Sequence, residues 1–166
     1  MYAYFGSKNA IYDAMFSQAA AQFADTMAAP YDCQDPGDLL VAQARRFFEF
    51  CAIDLPRYQL LFQRTLPGFE PSPESYAPAV RALASGRDVL ARNGIADQRQ
   101  ADLWIALVTG LVSQQLANDP GGDRWTRLVG ESAAMFLGHF RPLVPSAPPD
   151  PGHSQPAGAL HDHDDS

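Results

Sequence analysis

The chain has 166 residues, the size of one domain, and its 46% apolar and 19% charged residues exclude a compositionally disordered protein. A formal charge of −7 argues against a surface that binds nucleic acid all over. No apolar run approaches the roughly 18 residues of a membrane span, and no stretch at the start reads as a secretory signal. The expectation is a soluble cytoplasmic protein with no membrane partner. Cys33 and Cys51 are too few and too far apart for a disulfide scaffold or a cysteine-based zinc site. Alanine numbers 26, against 15 for valine, isoleucine and threonine together, which favours helix over sheet.

Punctuation and period predict about six helical segments. Residues 1–5 read as the end of a helix broken at Gly6, after which Ser7 is a natural N-cap for a helix to about Ala28. Tyr12, Phe16, Ala19, Ala20, Phe23 and Met27 share one face of it. Asp35 and Pro36 start the next helix, with Leu40, Ala44, Phe47, Phe48 and Cys51 on its stripe. Pro56 opens a short helix to about Thr65, followed by a Pro- and Gly-rich loop over 66–73. Ser72 and Pro73 start a helix to about Arg92, ended by Asn93-Gly94. Asp97, with Gln100 three residues on, forms a capping-box pattern for a helix to about Asn118. Leu103, Trp104, Leu107, Val108, Leu111 and Val112 leave the middle of that helix little polar face, which predicts burial on several sides. After the turn Asp119-Pro120-Gly121-Gly122, Asp123 is expected to cap a last helix to about Phe140. Its stripe is Trp125, Leu128, Val129, Ser132, Met135, Phe136 and Phe140. No strand alternation occurs, so the fold class is an all-α helical bundle.

Residues 142–166 differ in kind. They hold six of the fourteen prolines, four aspartates and no Lys or Arg, and so contribute −4 of the −7. They read as a disordered acidic tail. His153, His161, Asp162, His163, Asp164 and Asp165 offer weak transition-metal donors there, but the plainer reading is a flexible solubilising end. No metal or cofactor site is expected.

Met1-Tyr2-Ala3-Tyr4-Phe5-Gly6-Ser7-Lys8-Asn9-Ala10-Ile11-Tyr12 carries a specific pattern: aromatic, any residue, Tyr, Phe, small, Ser, Lys, two residues, aliphatic. It resembles the junction after the recognition helix in tetracycline-repressor-like (TetR) transcriptional regulators. The helix order behind it also resembles that family's regulatory half, so the likeness extends over about residues 1–141. The resemblance implies a ligand-responsive regulator, acting as a repressor, in which 1–5 are the remnant of a recognition helix and 6–141 bind ligand and dimerise. It implies Tyr2, Tyr4 and Lys8 as contacts to the DNA backbone, where hydroxyls, a lysine and a helix N-terminus suit phosphate. A homodimer through helices 97–118 and 123–140, operator DNA and an unknown small apolar effector are the implied partners. Gly110, Ser113 and Ala117, spaced by three and four, permit close helix approach at such an interface. Trp104–Gly110 is also similar to a Trp…His-Gly signature in one subfamily, with Thr109 in place of the histidine.

Five residues do not make a helix-turn-helix, so specific operator binding by this family's mechanism requires residues that these 166 do not contain. A misplaced gene start and a truncated regulatory domain remain alternative explanations. Candidate pocket residues are Phe47, Phe48, Cys51, Tyr58, Phe62 and Trp104, with Gln63, Thr109 and Gln114 as the few polar groups such pockets carry. No Gly-rich phosphate loop, Glu-x-x-His, Gly-x-Ser-x-Gly or Cys–His pairing points to catalysis, and the chain is read as not an enzyme. A dimerising, ligand-binding module without DNA binding is the alternative reading.

Overall fold

The computed structural model describes the backbone of residues 2–140 and the side chains of residues 8–140. Six α-helices follow in order: α1 (Tyr2–Ala28), α2 (Pro36–Ile53), α3 (Leu55–Phe62), α4 (Pro73–Arg92), α5 (Gln98–Asn118) and α6 (Val129–Phe140). There is no strand among the described residues. The expected tail and its histidines lie outside them.

Most helix limits rest on the residues that announce them. Asp35 Oδ1 accepts the N–H groups of Gly37 at 2.8 Å and Asp38 at 3.1 Å, with Pro36 in the first turn. Ser72 Oγ accepts Ser75 N–H at 3.2 Å, and Asp97 accepts Arg99 N–H at 3.0 Å. The reciprocal bond from Gln100 is not formed among the described residues. At the end of α4, Gly94 takes φ +79°, so that Ile95 N–H reaches Leu90 O and Gly94 N–H reaches Ala91 O, the Schellman arrangement. Asp54, extended at φ −145°, ends α2 and caps α3 through Arg57 N–H.

Four expectations about helix limits and the α6 stripe are corrected. Helix α1 runs through Gly6 without a break. A helical glycine costs only about 1 kcal/mol relative to alanine, too little to interrupt a helix whose flanking turns both form. Helix α3 stops at Phe62, short of Thr65, because Arg64 adopts φ +45°, which a right-handed helix cannot hold. Asp123 caps no α-helix. Its carbonyl accepts Arg127 N–H at the start of a 3₁₀ turn, Thr126–Leu128, and α6 begins only at Val129. Asp119 holds this corner instead: its carboxylate accepts Arg124 N–H at 2.9 Å, and Gln115 Oε1 accepts Trp125 N–H at 2.8 Å. Finally, Met135 is 64% exposed rather than on the buried stripe of α6.

Helix α1 lies along α4 in its most extensive packing, and the two run in the same direction. Asp13 meets Ser72 and Ser75 at the start of α4, Phe16 stacks on Tyr76 at 6.1 Å, and Ala20 packs with Ala79. The far end of α1 is held by Arg46 of α2, whose guanidinium donates to the carbonyls of Ala29 and Pro30 and lies 3.6 Å from the Tyr31 ring centre. The main core sits between α2, α5 and α6, around Leu40, Phe48, Cys51, Val112 and Val129.

Helix α5 buries a single stripe: Ala101, Trp104, Val108, Val112 and Gln115. Burial on several sides, expected from its sequence, is not reached within one chain. Leu103 and Ile105 are 44% and 39% exposed, and Ala106 and Gly110 face outward.

Candidate functional site

A pocket of about 140 Å³, open to solvent on one side, lies where α1, α2, the end of α3, α4 and α5 converge. Three rings wall one side. Phe62 meets Phe23 and Phe47 edge-on at 5.3 Å each, and Phe23 meets Phe47 at 6.0 Å. Met27, Trp104 and Val108 continue the apolar lining, and Thr109, Ile105, Leu83 and Arg87 complete it. Edge-to-face aromatic walls of this kind suit a flat apolar guest.

One polar group lies deep in this lining. Gln43 is only 6% exposed, and its Nε2 has no hydrogen-bond partner among the described residues. Gly86 of α4 stands beside it: a Cβ at Gly86 would lie 3.8 Å from Gln43 Oε1. Thr109 is less available as a donor, because its hydroxyl donates to Ile105 O at 2.7 Å.

The expected pocket residues divide into two groups. Phe47, Phe62, Trp104 and Thr109 come together on the cavity. Phe48, Cys51 and Tyr58 do not; they are buried in the core on another side of α2 and α3. Tyr58 Oη shares a 2.9 Å hydrogen bond with Ser113 Oγ, tying α3 to α5. Burial pushes the Cys51 thiol up to about 12, with Arg57 opposing, so Cys51 is an inert packing group. Gln63 and Gln114 are exposed and line no part of the cavity. Helical period cannot say which of the adjacent Phe47 and Phe48 faces a void, since the void is made by distant helices. Gln43, Phe23 and Met27, with Val108, Ile105, Leu83 and Arg87, are lining residues that sequence reasoning missed. Gln43 carried a signal: it lies three residues after Leu40 and four before Phe47, a polar residue inside an apolar stripe.

Two larger clefts, also open to solvent, flank α1. One of about 640 Å³ lies between Phe16, the 63–72 loop and Tyr76, and one of about 440 Å³ lies between α1 and α3. Arg57 borders the second. Its Nε is unpaired, but its Nη2 already donates to Phe50 O at 2.9 Å and its Nη1 to Gln22 Oε1 at 3.3 Å. Neither cleft holds a buried group comparable to Gln43.

Of the expected DNA contacts, Tyr2 and Tyr4 contribute backbone to α1, and their side chains lie outside the described residues. Lys8 is exposed on α1, its Nζ 5.7 Å from the centre of the Tyr12 ring. It therefore lies within the helix, with no N-terminus at Ser7 to add backbone N–H groups beside it.

Asp13 ties the first half of α1 to the start of α4. Its carboxylate accepts Ser72 N–H at 2.7 Å, Ser75 Oγ–H at 2.8 Å and Ser72 Oγ–H at 2.9 Å. The Ser72 backbone N–H first, then the Ser75 hydroxyl, holds this carboxyl below the usual aspartate value of 3.8. No group of three or more His, Cys, Asp or Glu able to hold a metal occurs among the described residues, and no helix there is long and apolar enough to cross a membrane. No family model, no curated protein and no solved structure matches the chain.

Proposed function

We propose that the chain is the regulatory part of a TetR-type, ligand-responsive transcriptional regulator acting as a repressor, with its effector in the cavity beside Gln43. One observation carries this reading. Residues 2–12 of the segment that resembles the family's DNA-proximal junction are continuous with the helix whose Phe23 and Met27 line the pocket. Asp13 pins that helix between the two ends. Phe23 lies about 15 Å along α1 from Asp13, at 1.5 Å per residue, and Lys8 lies about 7 Å to the other side. A ligand that displaces Phe23 or Met27 would therefore rock α1 about the Asp13–Ser72 tie and shift its opposite end. A ligand that prefers one tilt shifts the population between two recognition-helix spacings in a dimer.

The homodimer is part of the proposal, through α5 and α6. It is supported by the open apolar face of α5 and by Gly110, Gly130 and Gly138, where a Cβ would meet nothing within 4 Å inside the chain. Three helical glycines with no steric need in their own fold suit close approach by a second copy.

Operator binding through Tyr2, Tyr4 and Lys8 would need the helix-turn-helix that residues 1–5 do not supply. The test compares DNA binding by the 166-residue chain with that of a version extended in frame upstream. The expected result is salt-dependent, sequence-specific binding by the extended version alone, released by ligand. An extended version that encodes no helix-turn-helix, or binds no DNA, would overturn the reading.

The unbroken α1 favours a second reading, a dimerising small-molecule-binding module without DNA binding, because the turn that the junction resemblance implies at Gly6 is absent. Tight dimerisation with no salt-dependent DNA affinity in either version would select it.

A further inference from the structure

We propose that the pocket takes an apolar aromatic molecule carrying an O–H or N–H group, and that Gln43 Oε1 accepts the hydrogen bond from that group. The inference deepens the effector-pocket reading and rests on it for the ligand's role, though ligand binding can be measured without DNA.

The two ends of the Gln43 amide have different surroundings. Nε2 is sealed from solvent on the Tyr31 side. Burial pushes the Tyr31 hydroxyl above its ordinary value, and Arg46 and the Gln43 amide oppose that rise. Only the N–H end of an amide can favour a phenolate, so Nε2 is the end turned toward Tyr31. Oε1 is turned the other way, toward Gly86, where a Cβ would lie 3.8 Å from it. Gln43 and Gly86 both line the pocket. Oε1 accepts no hydrogen bond among the described residues and, unlike Nε2, is not sealed from solvent.

That orientation selects the ligand's polar group. The residue is only 6% exposed, so Oε1 is reached through the pocket. Water can satisfy an acceptor placed there, but a ligand that displaces the water must replace its hydrogen bond or lose affinity. The Thr109 hydroxyl does not supply the bond, since it donates to Ile105 O at 2.7 Å. A carbonyl or carboxylate oxygen would meet a second acceptor, whereas an O–H or N–H group completes the pair. The walls select the ligand's body. Phe23, Phe47, Phe62 and Trp104 offer ring faces and edges to an aromatic guest. Because one side of the pocket is open, the walls limit chemistry and not length, and groups remote from the donor can extend into solvent.

The experiment is calorimetric titration of the whole chain with 4-ethylphenol, ethylbenzene and 4-ethylanisole. The last two lack the donor and bracket the phenol in size. The chain is expected to bind 4-ethylphenol about fivefold more tightly than either. Acetophenone, an acceptor without a donor, should gain nothing over ethylbenzene. Gln43→Met and Gln43→Leu should abolish the preference for the phenol. If neither variant folds, Gly86→Ala decides in their place. Alanine favours the helix, and its methyl would stand beside Oε1 and crowd the donor's approach, so the preference should fall. Equal binding of 4-ethylphenol and ethylbenzene, acetophenone binding as tightly as the phenol, or a preference that survives these substitutions would overturn the proposal. A donor preference that depends on Gln43, with no change in the DNA affinity of the extended chain, would leave the inference standing and remove the regulator reading. A DNA response to another ligand, with no donor preference in the pocket, would do the opposite.

Discussion

Two faces of helix α2 carry much the same residues and are built for different ends. On one, Phe48 and Cys51 are sealed in the core, and neighbouring Tyr58 spends its hydroxyl on Ser113. On the other, Phe47 is only half-buried, an open-sided pocket of about 140 Å³ remains, and Nε2 of Gln43 has no hydrogen-bond partner among the described residues. Cores normally leave neither empty space nor an unpaired donor. The first face is ordinary core, and the second borders the proposed effector pocket. Mutations should therefore act with different sizes, and even different signs, on the two faces.

The largest effect is expected at Phe48. Phe48→Ala should lower unfolding free energy by about 3–5 kcal/mol, while Phe47→Ala should cost about 1–2 kcal/mol because part of that ring already faces a void. Urea unfolding of both variants measures the contrast, and equal losses would break the distinction between the faces. Next comes the pair of polar groups. Tyr58→Phe leaves Ser113 without its partner and should cost about 1 kcal/mol. Gln43→Leu removes a buried donor that has none, so without ligand it should be neutral or stabilising by about 1 kcal/mol. A destabilising Gln43→Leu would mean that the amide is already satisfied and that the cavity face is ordinary core.

A smaller effect tests the tie on which α1 is proposed to turn. The folded pKa of Asp13 lies below its ordinary value of 3.8, so its contribution to stability is full above that value and is lost as pH falls through the folded pKa. Thermal unfolding followed from pH 5 downward should show a shallower acid loss in Asp13→Asn than in the parent chain. The slope should not vanish, because the Arg124 backbone N–H and the Gln115 amide hold Asp119 below its ordinary value in the same way. Identical pH profiles would contradict the tie.

The helix plan was largely readable because its signals are local. Asp35, Ser72, Asp97 and Asn93-Gly94 act within four residues of themselves, and each does what its residue type allows. Expectations failed where the decision is made at a distance or by competition. Asp123 loses the corner to Asp119, whose carboxylate reaches Arg124 N–H five residues on. Arg64 leaves the helical region for a reason no residue type announces. At the site, Phe47, Phe62, Trp104 and Thr109 were legible as apolar or near-apolar positions, but their separation from Phe48, Cys51 and Tyr58 depends on where five helices fail to fill space. Phe23 and Met27 read as ordinary core positions for the same reason.

The central claim is that α1 couples the cavity to the end that resembles a DNA-proximal junction, across a dimer. A nitroxide at position 8 tests it directly, in a Lys8→Cys, Cys33→Ser variant whose remaining thiol, Cys51, is buried and held protonated. Pulsed spin-label spectroscopy then measures the distance between the two copies of that site, with and without saturating ethylbenzene, an apolar aromatic probe suited to the pocket walls. The account predicts a defined distance between protomers that changes when the probe binds. No distance between protomers, or the same distribution with and without bound probe, would contradict it.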